Sequence, residues 1–412
     1  MNSLRVEEAR RLLWDTLQRG PTRRLPLAEC LGSVLAEELT SDLDFPPFDR
    51  ITMDGYAVRA EDLRSATRER PLSLEVVGSA LAGAPFAGKL SAGQVVKAMT
   101  GAVLPEGADA VVPVEETAGF DEERATIFLA PSAGANIARR GEDSRSGALI
   151  LRAGTHLTSR HVQTLASAGH AMVPVVAPPL AAVASTGDEL VAIEEKPGPG
   201  QIRESNNACV RACLSEWGIP CTELGSLADE RTSLKEALQE ALARYELLVL
   251  SGGVSKGEKD LVKPVLAELG VNLHFTSLHL KPGHPAVFGT HRGGMVFALP
   301  GNPVAVFTGL RAVFSAGLRR RLGYPKSTPP RAWGRLGFDF TRKGNRPNYL
   351  PVALEESSKD DLPRVLSTAH HGSGDFRSLA EADALAWFND DKVAFATGEV
   401  VEILRLDPLH SA

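Results

Sequence analysis

Three short segments carry residue types suited to holding an anion. Ser185-Thr186-Gly187-Asp188-Glu189, Ser251-Gly252-Gly253-Val254-Ser255 and Pro300-Gly301-Asn302-Pro303 each follow an apolar run, at 180–184, 247–250 and 295–299. Glycines allow close backbone approach to a ligand, and exposed backbone N–H groups favour negative charge. If the runs are parallel strands, the loops at their carboxyl ends converge on one ligand site. Each loop alone is also ordinary turn chemistry. The third reads equally well as a helix start, with Asn302 as N-cap and Pro303 as first helical residue. Taken together, the three point to a ligand bearing phosphate or another oxyanion.

Acidic residues stand beside these loops: Asp188, Glu189, Glu258 and Asp260. A hard divalent cation such as magnesium takes one or two carboxylates plus substrate phosphates. The competing reading is a solvated surface, and for Glu258 a charge at a helix start. Lys281 sits in Lys281-Pro282-Gly283-His284-Pro285, where prolines and glycine stiffen the backbone that presents it. Other motifs fall away. Residues 253–257 (GVSKG) satisfy G-x-S-x-G, but the serine is displaced from the strand end where a nucleophile elbow needs it. Residues 83–89 (GAPFAGK) lack the Ser or Thr that completes a P-loop, since Leu90 follows. There is no H-E-x-x-H and no paired C-x-x-C, and adjacent His370 and His371 cannot share a helix face, so zinc has no signal.

The elements that must position these residues follow from periodicity. Residues 4–19 read as an amphipathic helix with Ala9, Leu12, Leu13 and Leu17 on one face. From 174 to 325, strands at 180–184, 247–250 and 295–299 alternate with helices at 207–217, 234–243, 261–269 and 304–314. Such alternation predicts a three-layer α/β domain with a mostly parallel sheet. Short β-type runs at 71–116 predict a small inserted β domain, and those at 331–408 a C-terminal β-barrel-like domain. The expected boundaries are 1–45 with 139–173 as an N-terminal linker domain, 46–138, 174–328 and 329–412. The fold class is therefore α/β plus β, in a multidomain chain.

Composition narrows the function classes. Of 412 residues, 43% are hydrophobic and 23% charged, as in a soluble protein with a sizeable core. The net charge of −6 argues against a protein built to bind nucleic acid. Arg319-Arg320-Arg321 fits the end of a helix before Gly323 better than an anion site. No signal peptide or membrane span is read, and four cysteines without framework spacing suit a reducing cytoplasm. Cys209 and Cys213 read as core thiols.

Seven motifs, in order, resemble the MoeA family, whose members include the E domain of gephyrin. They are MDGYAV at 53–58, MTGA at 99–102, RGED at 140–143, STGDEL at 185–190, SGGVS at 251–255, KPG at 281–283 and LPGNP at 299–303. The resemblance covers about 5–405. It implies a molybdopterin molybdenumtransferase: adenylylated molybdopterin and molybdate as substrates, Mg2+ as cofactor, hydrolysis of the phosphate anhydride and release of AMP. It also implies an elongated homodimer with active sites shared between subunits, and it suggests a molybdopterin adenylyltransferase as delivery partner.

Carried onto matching positions, the resemblance implies catalytic roles for Asp54, Thr100, Asp143, Glu189 and Lys281, with Asp188 and Asp260 as metal ligands. Substrate contacts fall on Arg140, Thr186, Gly187, Ser251, Gly252, Gly253, Ser255, Pro300, Gly301, Asn302 and Pro303. Arg346 and Ser373 match weaker positions of the C-terminal domain. On this reading Asp54, Thr100, Arg140 and Asp143 face the partner subunit's α/β domain. The chain departs from the family pattern at Glu204, where Asp is common, at Lys256, and at His284, where many bacterial members carry a second Lys. A histidine is charged only part of the time near neutral pH, so a weaker or more pH-sensitive oxyanion site is expected. Molybdate and tungstate stay undistinguished, and a non-catalytic scaffold is the alternative reading.

Overall fold

The computed structural model describes residues 3–255, 260–356, 362–368 and 372–406. Lys256, Glu258, His370 and His371 lie outside them. The chain divides into two compact units: 1–37 with 153–162 and 172–412, and 38–152 with 163–171.

The first unit is built on a six-stranded sheet. Its strands are β1 (Ala181–Thr186), β2 (Cys221–Leu227), β3 (Leu247–Ser251), β4 (Asn272–Phe275), β5 (Val287–His291) and β6 (Gly294–Leu299), in spatial order β2-β1-β3-β6-β5-β4. β2, β1, β3 and β6 are parallel, as expected; β5 and β4 extend the sheet antiparallel. The run-based reading missed β2, β4 and β5, because β2 (CTELGSL) and β4 (NLHF) are half-exposed edges without an apolar stretch.

Period-two alternation sorts the central strands between two cores. Ala181, Val183, Leu247, Val249, Met295 and Phe297 face one layer of helices, Asn206–Glu216 and Pro303–Gly309 among them. Ala182, Ala184, Leu248, Leu250, Val296 and Ala298 face the other, with Arg231–Arg244 and Val262–Glu268. Buried on both faces, these strands read as continuous apolar runs, and truncating a core aromatic such as fully buried Phe297 costs about 3–5 kcal/mol. The N-terminal helix Val6–Thr16 packs Val6, Ala9 and Leu13 into the first core.

The expected helix at 304–314 is longer. Pro303–Gly309 runs through a π-helical turn, Leu310–Phe314, into Ser315–Leu322, and ends at Gly323 in the left-handed region (φ 86°). The arginine run falls in its last turn and is largely buried. Arg319 donates to the Lys326 carbonyl, Arg320 to that of Leu17, and Arg321 to that of Ala177 and to Glu246. These cations staple chain segments, Arg321 through an ion pair with Glu246 as well as a carbonyl.

After the helix, Ala332–Leu336, Arg364–Ser367, Asn348–Glu355, Ala384–Phe388 and Val400–Arg405 close into a five-stranded barrel. Leu336, Val352, Val365, Phe388 and Ile403 fill it. No described helix is long and apolar enough to cross a membrane.

The second unit holds a five-stranded sheet in the order Ala110–Pro113, Gly55–Val58, Gln94–Ala98, Leu72–Ala80, Arg124–Ile127. Gly55 follows Asp54 and lies against the backbone of Val112, whose carbonyl oxygen occupies the space a side chain would need. Gly55→Ala therefore costs about 1–3 kcal/mol or more. A melting temperature equal to wild type would show that the strand pair shifts without penalty.

Candidate active site

Register brings the three glycine-bearing loops level. Ala184 pairs with Leu250 and Ser185 with Ser251 across β1 and β3, and Ser251 pairs with Leu299 across β3 and β6. Their carboxyl ends open on a cavity of about 950 Å³. Thr186, Gly187 and Glu189 line it from the first loop; Ser251, Gly252, Gly253 and Ser255, with Asp260, line it from the second. Pro300, Gly301 and Asn302 come from the third, Lys281 and His284 from the 281–285 loop, and Arg346 and Ser373 from the barrel side. Asp188 and Pro303 are not part of the lining.

The loops are shaped for close approach. Gly252 and Gly253 are both left-handed (φ 88° and 63°), and a side chain at Gly252 would meet the Thr186 carbonyl. Thr186 Oγ1 and Ser251 Oγ are buried without a hydrogen-bond partner among the described residues. Such orphaned hydroxyls are uncommon in interiors, and beside a cavity they fit a site completed by ligand. Asp260 Oδ1 accepts the Ser255 N–H at 2.9 Å and folds the second loop back on itself.

Asn302 occupies the N-cap position with Pro303 first in the helix, as its sequence suggests, but its side chain does not cap. Its Nδ2 instead donates to Ser373 Oγ at 2.8 Å, joining two residues singled out from separate domains. Arg346 reaches back to the Leu280 carbonyl at 3.5 Å. Lys281 is held by its backbone: its N–H donates to the Pro347 carbonyl at 2.9 Å and its own carbonyl accepts from Tyr349 at 3.1 Å. The ring of His284 is likewise fixed, with Nδ1 bonded to the Leu278 carbonyl at 2.8 Å. A carbonyl only accepts, so Nδ1 carries the proton and Nε2 is the nitrogen left for other contacts.

Further polar residues line the cavity that the loop motifs did not disclose, among them Asn206, Asp229, Asp339, Lys343 and Asn348. Asn206 donates to the Gly301 carbonyl at 2.8 Å. Asp229 follows β2, the strand without a hydrophobic signature, and Lys343 and Asn348 come from the barrel. The variant position Glu204 is a helix cap: its carboxylate accepts the N–H groups of Asn206 and Asn207 at 2.8 and 2.9 Å, while burial pushes its pKa up.

The remaining candidates belong to the second unit. Asp54 Oδ1 accepts both the backbone N–H and the hydroxyl of Thr100, each at 2.7 Å. The backbone N–H, then the hydroxyl, hold its pKa below the usual carboxylate value. Arg140 donates through Nε to Asp44 at 2.7 Å and through its backbone to Asp49 at 2.9 Å. The Ser146 N–H and then Arg140 depress Asp44. Asp143 is exposed, with its N–H bonded to the Phe45 carbonyl.

Level glycine loops on a parallel sheet, facing a cavity with lysine, arginine and carboxylates, define an α/β protein with an appended β-barrel and a charged cavity at the sheet's carboxyl end. Three family models cover the chain: the MoeA N-terminal region (domain I and II) over 4–169, a probable molybdopterin binding domain over 182–320, and the MoeA C-terminal region (domain IV) over 334–406. A molybdopterin molybdenumtransferase of Nostoc sp. is 34% identical over 91% of this chain and 86% of its own. One from Bacillus subtilis is 36% identical over 74% of this chain and 71% of its own. The crystal structure of a molybdopterin biosynthesis MoeA protein from Pyrococcus horikoshii superposes with a TM-score of 0.83 at 30% identity, over 98% of this chain and 99% of that one. The chain belongs to the MoeA family and is an enzyme of molybdenum cofactor biosynthesis.

Thr100→Val removes one of the two donors on Asp54. The Asp54 pKa then rises but stays below its ordinary value, because the larger backbone contribution persists. In the wild type the folded value is depressed, so the contact's stabilisation is present above the unfolded pKa and fades as pH falls through the folded one. Carboxyl-carbon NMR titration reads this directly, and an unmoved Asp54 titration would exclude the hydroxyl's part.

Proposed function

We propose that this enzyme inserts molybdate into adenylylated molybdopterin, with hydrolysis of the phosphate anhydride and release of AMP. The observation that carries the reading is the single cavity lined by glycine loops, Lys281 and Arg346. Its volume of about 950 Å³ suits a nucleotide-sized conjugate rather than a bare oxyanion.

The residues divide the work as follows. Backbone N–H groups around Gly187, Gly253 and Gly301 receive phosphate oxygens, while Gly252, whose own N–H is bonded to the Leu299 carbonyl, lets the ligand approach the backbone closely. Lys281 compensates charge on the tetrahedral oxyanion, where water is partly excluded and electrostatic attraction is stronger. Asp54, kept ionised by Thr100, accepts a hydrogen bond or proton from the attacking water. Glu189 and Asp143 are the further acids, and Arg140 binds substrate from the same motif as Asp143.

Among the described residues no three His, Cys, Asp or Glu groups gather into a metal cage. Of the two expected ligands, Asp260 lines the cavity and Asp188 does not; Asp260 would hold a magnesium ion, with substrate phosphate and water completing its shell. Magnesium supplies charge neutralisation on the anhydride. We further propose a homodimer in which Asp54, Thr100, Arg140 and Asp143 of one subunit complete the partner's cavity. A molybdopterin adenylyltransferase as the supplier of substrate and a reducing cytoplasm, which suits the four free cysteines, complete the reading.

Two measurements test it. Purified enzyme given adenylylated molybdopterin, molybdate and magnesium releases AMP; wild type that releases none overturns the reaction. Asp54→Ala and Lys281→Ala each lower kcat/KM by about 10²–10⁴-fold. Mixed and re-assembled, the two inactive variants recover about a quarter of wild-type activity, since half the dimers are mixed and each holds one intact site. No recovery despite subunit exchange would sink the shared site.

A further inference from the structure

The barrel side of the cavity carries the cations Lys343 and Arg346 beside one carboxylate, Asp339, with Lys281 on the neighbouring loop. Among the described residues, Lys281, Lys343 and Arg346 all line the cavity, and none forms an ion pair with a carboxylate. Their neighbour Lys392, by contrast, is paired with Glu399. The carboxylate closest to them in sequence, Asp339, lines the same cavity, but it is tied to Thr397: its Oδ1 accepts the N–H and hydroxyl of Thr397 at 2.7 and 2.9 Å.

Segment 342–346 is also built rather than loose. Arg342 is buried, at 4% exposure, and has no carboxylate partner among the described residues. Its guanidinium donates through Nη1 to the carbonyls of Gly344 and Arg346 at 2.8 and 2.9 Å, and through Nε and Nη2 to that of Lys392 at 3.4 Å. Its own N–H donates to Val393 at 2.8 Å. Burying a charge is costly unless hydrogen bonds compensate it. Here the compensation comes from the carbonyls of the turn that displays Lys343 and Arg346. Guanidinium geometry, five donors in a rigid fork, lets one side chain gather three carbonyls.

We propose that segment 342–346 is an anion-binding wall of the substrate cavity, in which Lys343 acts with Arg346 on a phosphate or oxyanion group and buried Arg342 positions both. The assignment rests on the reading of this cavity as the substrate site. Arg342 is a positioning residue, since it acts through the turn; Lys343 is a binding residue. Two groups of the proposed substrates share the required chemistry: the tetrahedral oxyanion and the nucleotide phosphate.

The test is calorimetric titration of the full chain with molybdate and, separately, with AMP. Lys343→Gln weakens binding of one of the two roughly three- to tenfold, the magnitude of a partly exposed charge pair, and the anion affected identifies the group held. Lys343→Arg retains affinity, and added salt narrows the difference between wild type and Lys343→Gln. Arg342→Met weakens the same anion at least as much, and Arg342→Lys fails to rescue it, because one ammonium cannot span three carbonyls. Unchanged affinity for both anions in Lys343→Gln overturns the wall, as does a wild type that binds neither. Arg342→Met or Arg342→Lys that melts lower but binds normally reduces Arg342 to a stability role. Normal anion binding lost in Lys343→Gln, with no AMP release by wild type, would leave the wall standing and remove the reaction instead.

Discussion

The site depends on the register of three parallel strands. Because β1, β3 and β6 pair so that Ser185, Ser251 and Leu299 lie side by side, the chain leaves the sheet three times at one level. A one-residue slip would send the alternating side chains of a strand to the wrong core, and both faces are filled. The packing of Phe297 on one side and Val296 on the other is therefore what aligns Gly187, Gly252 and Gly301. The cavity is in this sense a by-product of a two-sided hydrophobic core, placed where parallel strands end.

What the sheet alone cannot supply is a second wall. That comes from the barrel, through contacts that are mostly backbone: Lys281 exchanges hydrogen bonds with Pro347 and Tyr349, and Asn302 holds Ser373. The N-terminal helix reinforces the junction. Arg10 is half-buried and donates to the Ala312 carbonyl and to Tyr349 Oη, each at 2.7 Å, while the Tyr349 ring packs at a tilt against Trp387. Arginines thus recur as staples: Arg10 at the helix, Arg321 beneath the sheet and Arg342 under the barrel turn. In each, the guanidinium donates to at least one backbone carbonyl; Arg10 also pairs with Glu7 and Arg321 with Glu246.

The acids divide by environment. Asp54 is exposed, and two donors from Thr100 keep it ionised. Glu204, equally acidic in composition, is buried behind a helix start, where burial opposes ionisation and the N–H groups of Asn206 and Asn207 oppose that effect. One is available for chemistry and the other is structural, and residue type does not separate them.

By itself the sequence determined the three-layer α/β domain, the barrel and the three loops. Strands buried on both faces must be apolar throughout, and glycine must stand where backbone meets ligand or a left-handed turn. The ordered motifs then determined the family. Tertiary structure alone decided the rest. Strands β2 and β4 are half-wet edges whose residues carry no period, so Asp229 could not be placed. Asn302 reads as a cap from its neighbours, yet it bonds to Ser373, a residue 71 positions away. Lys343 looks like any exposed lysine until the buried fork of Arg342 is seen beneath it. Local patterns report which face of an element meets a core; which side chain meets which across domains is set by packing that no local pattern encodes.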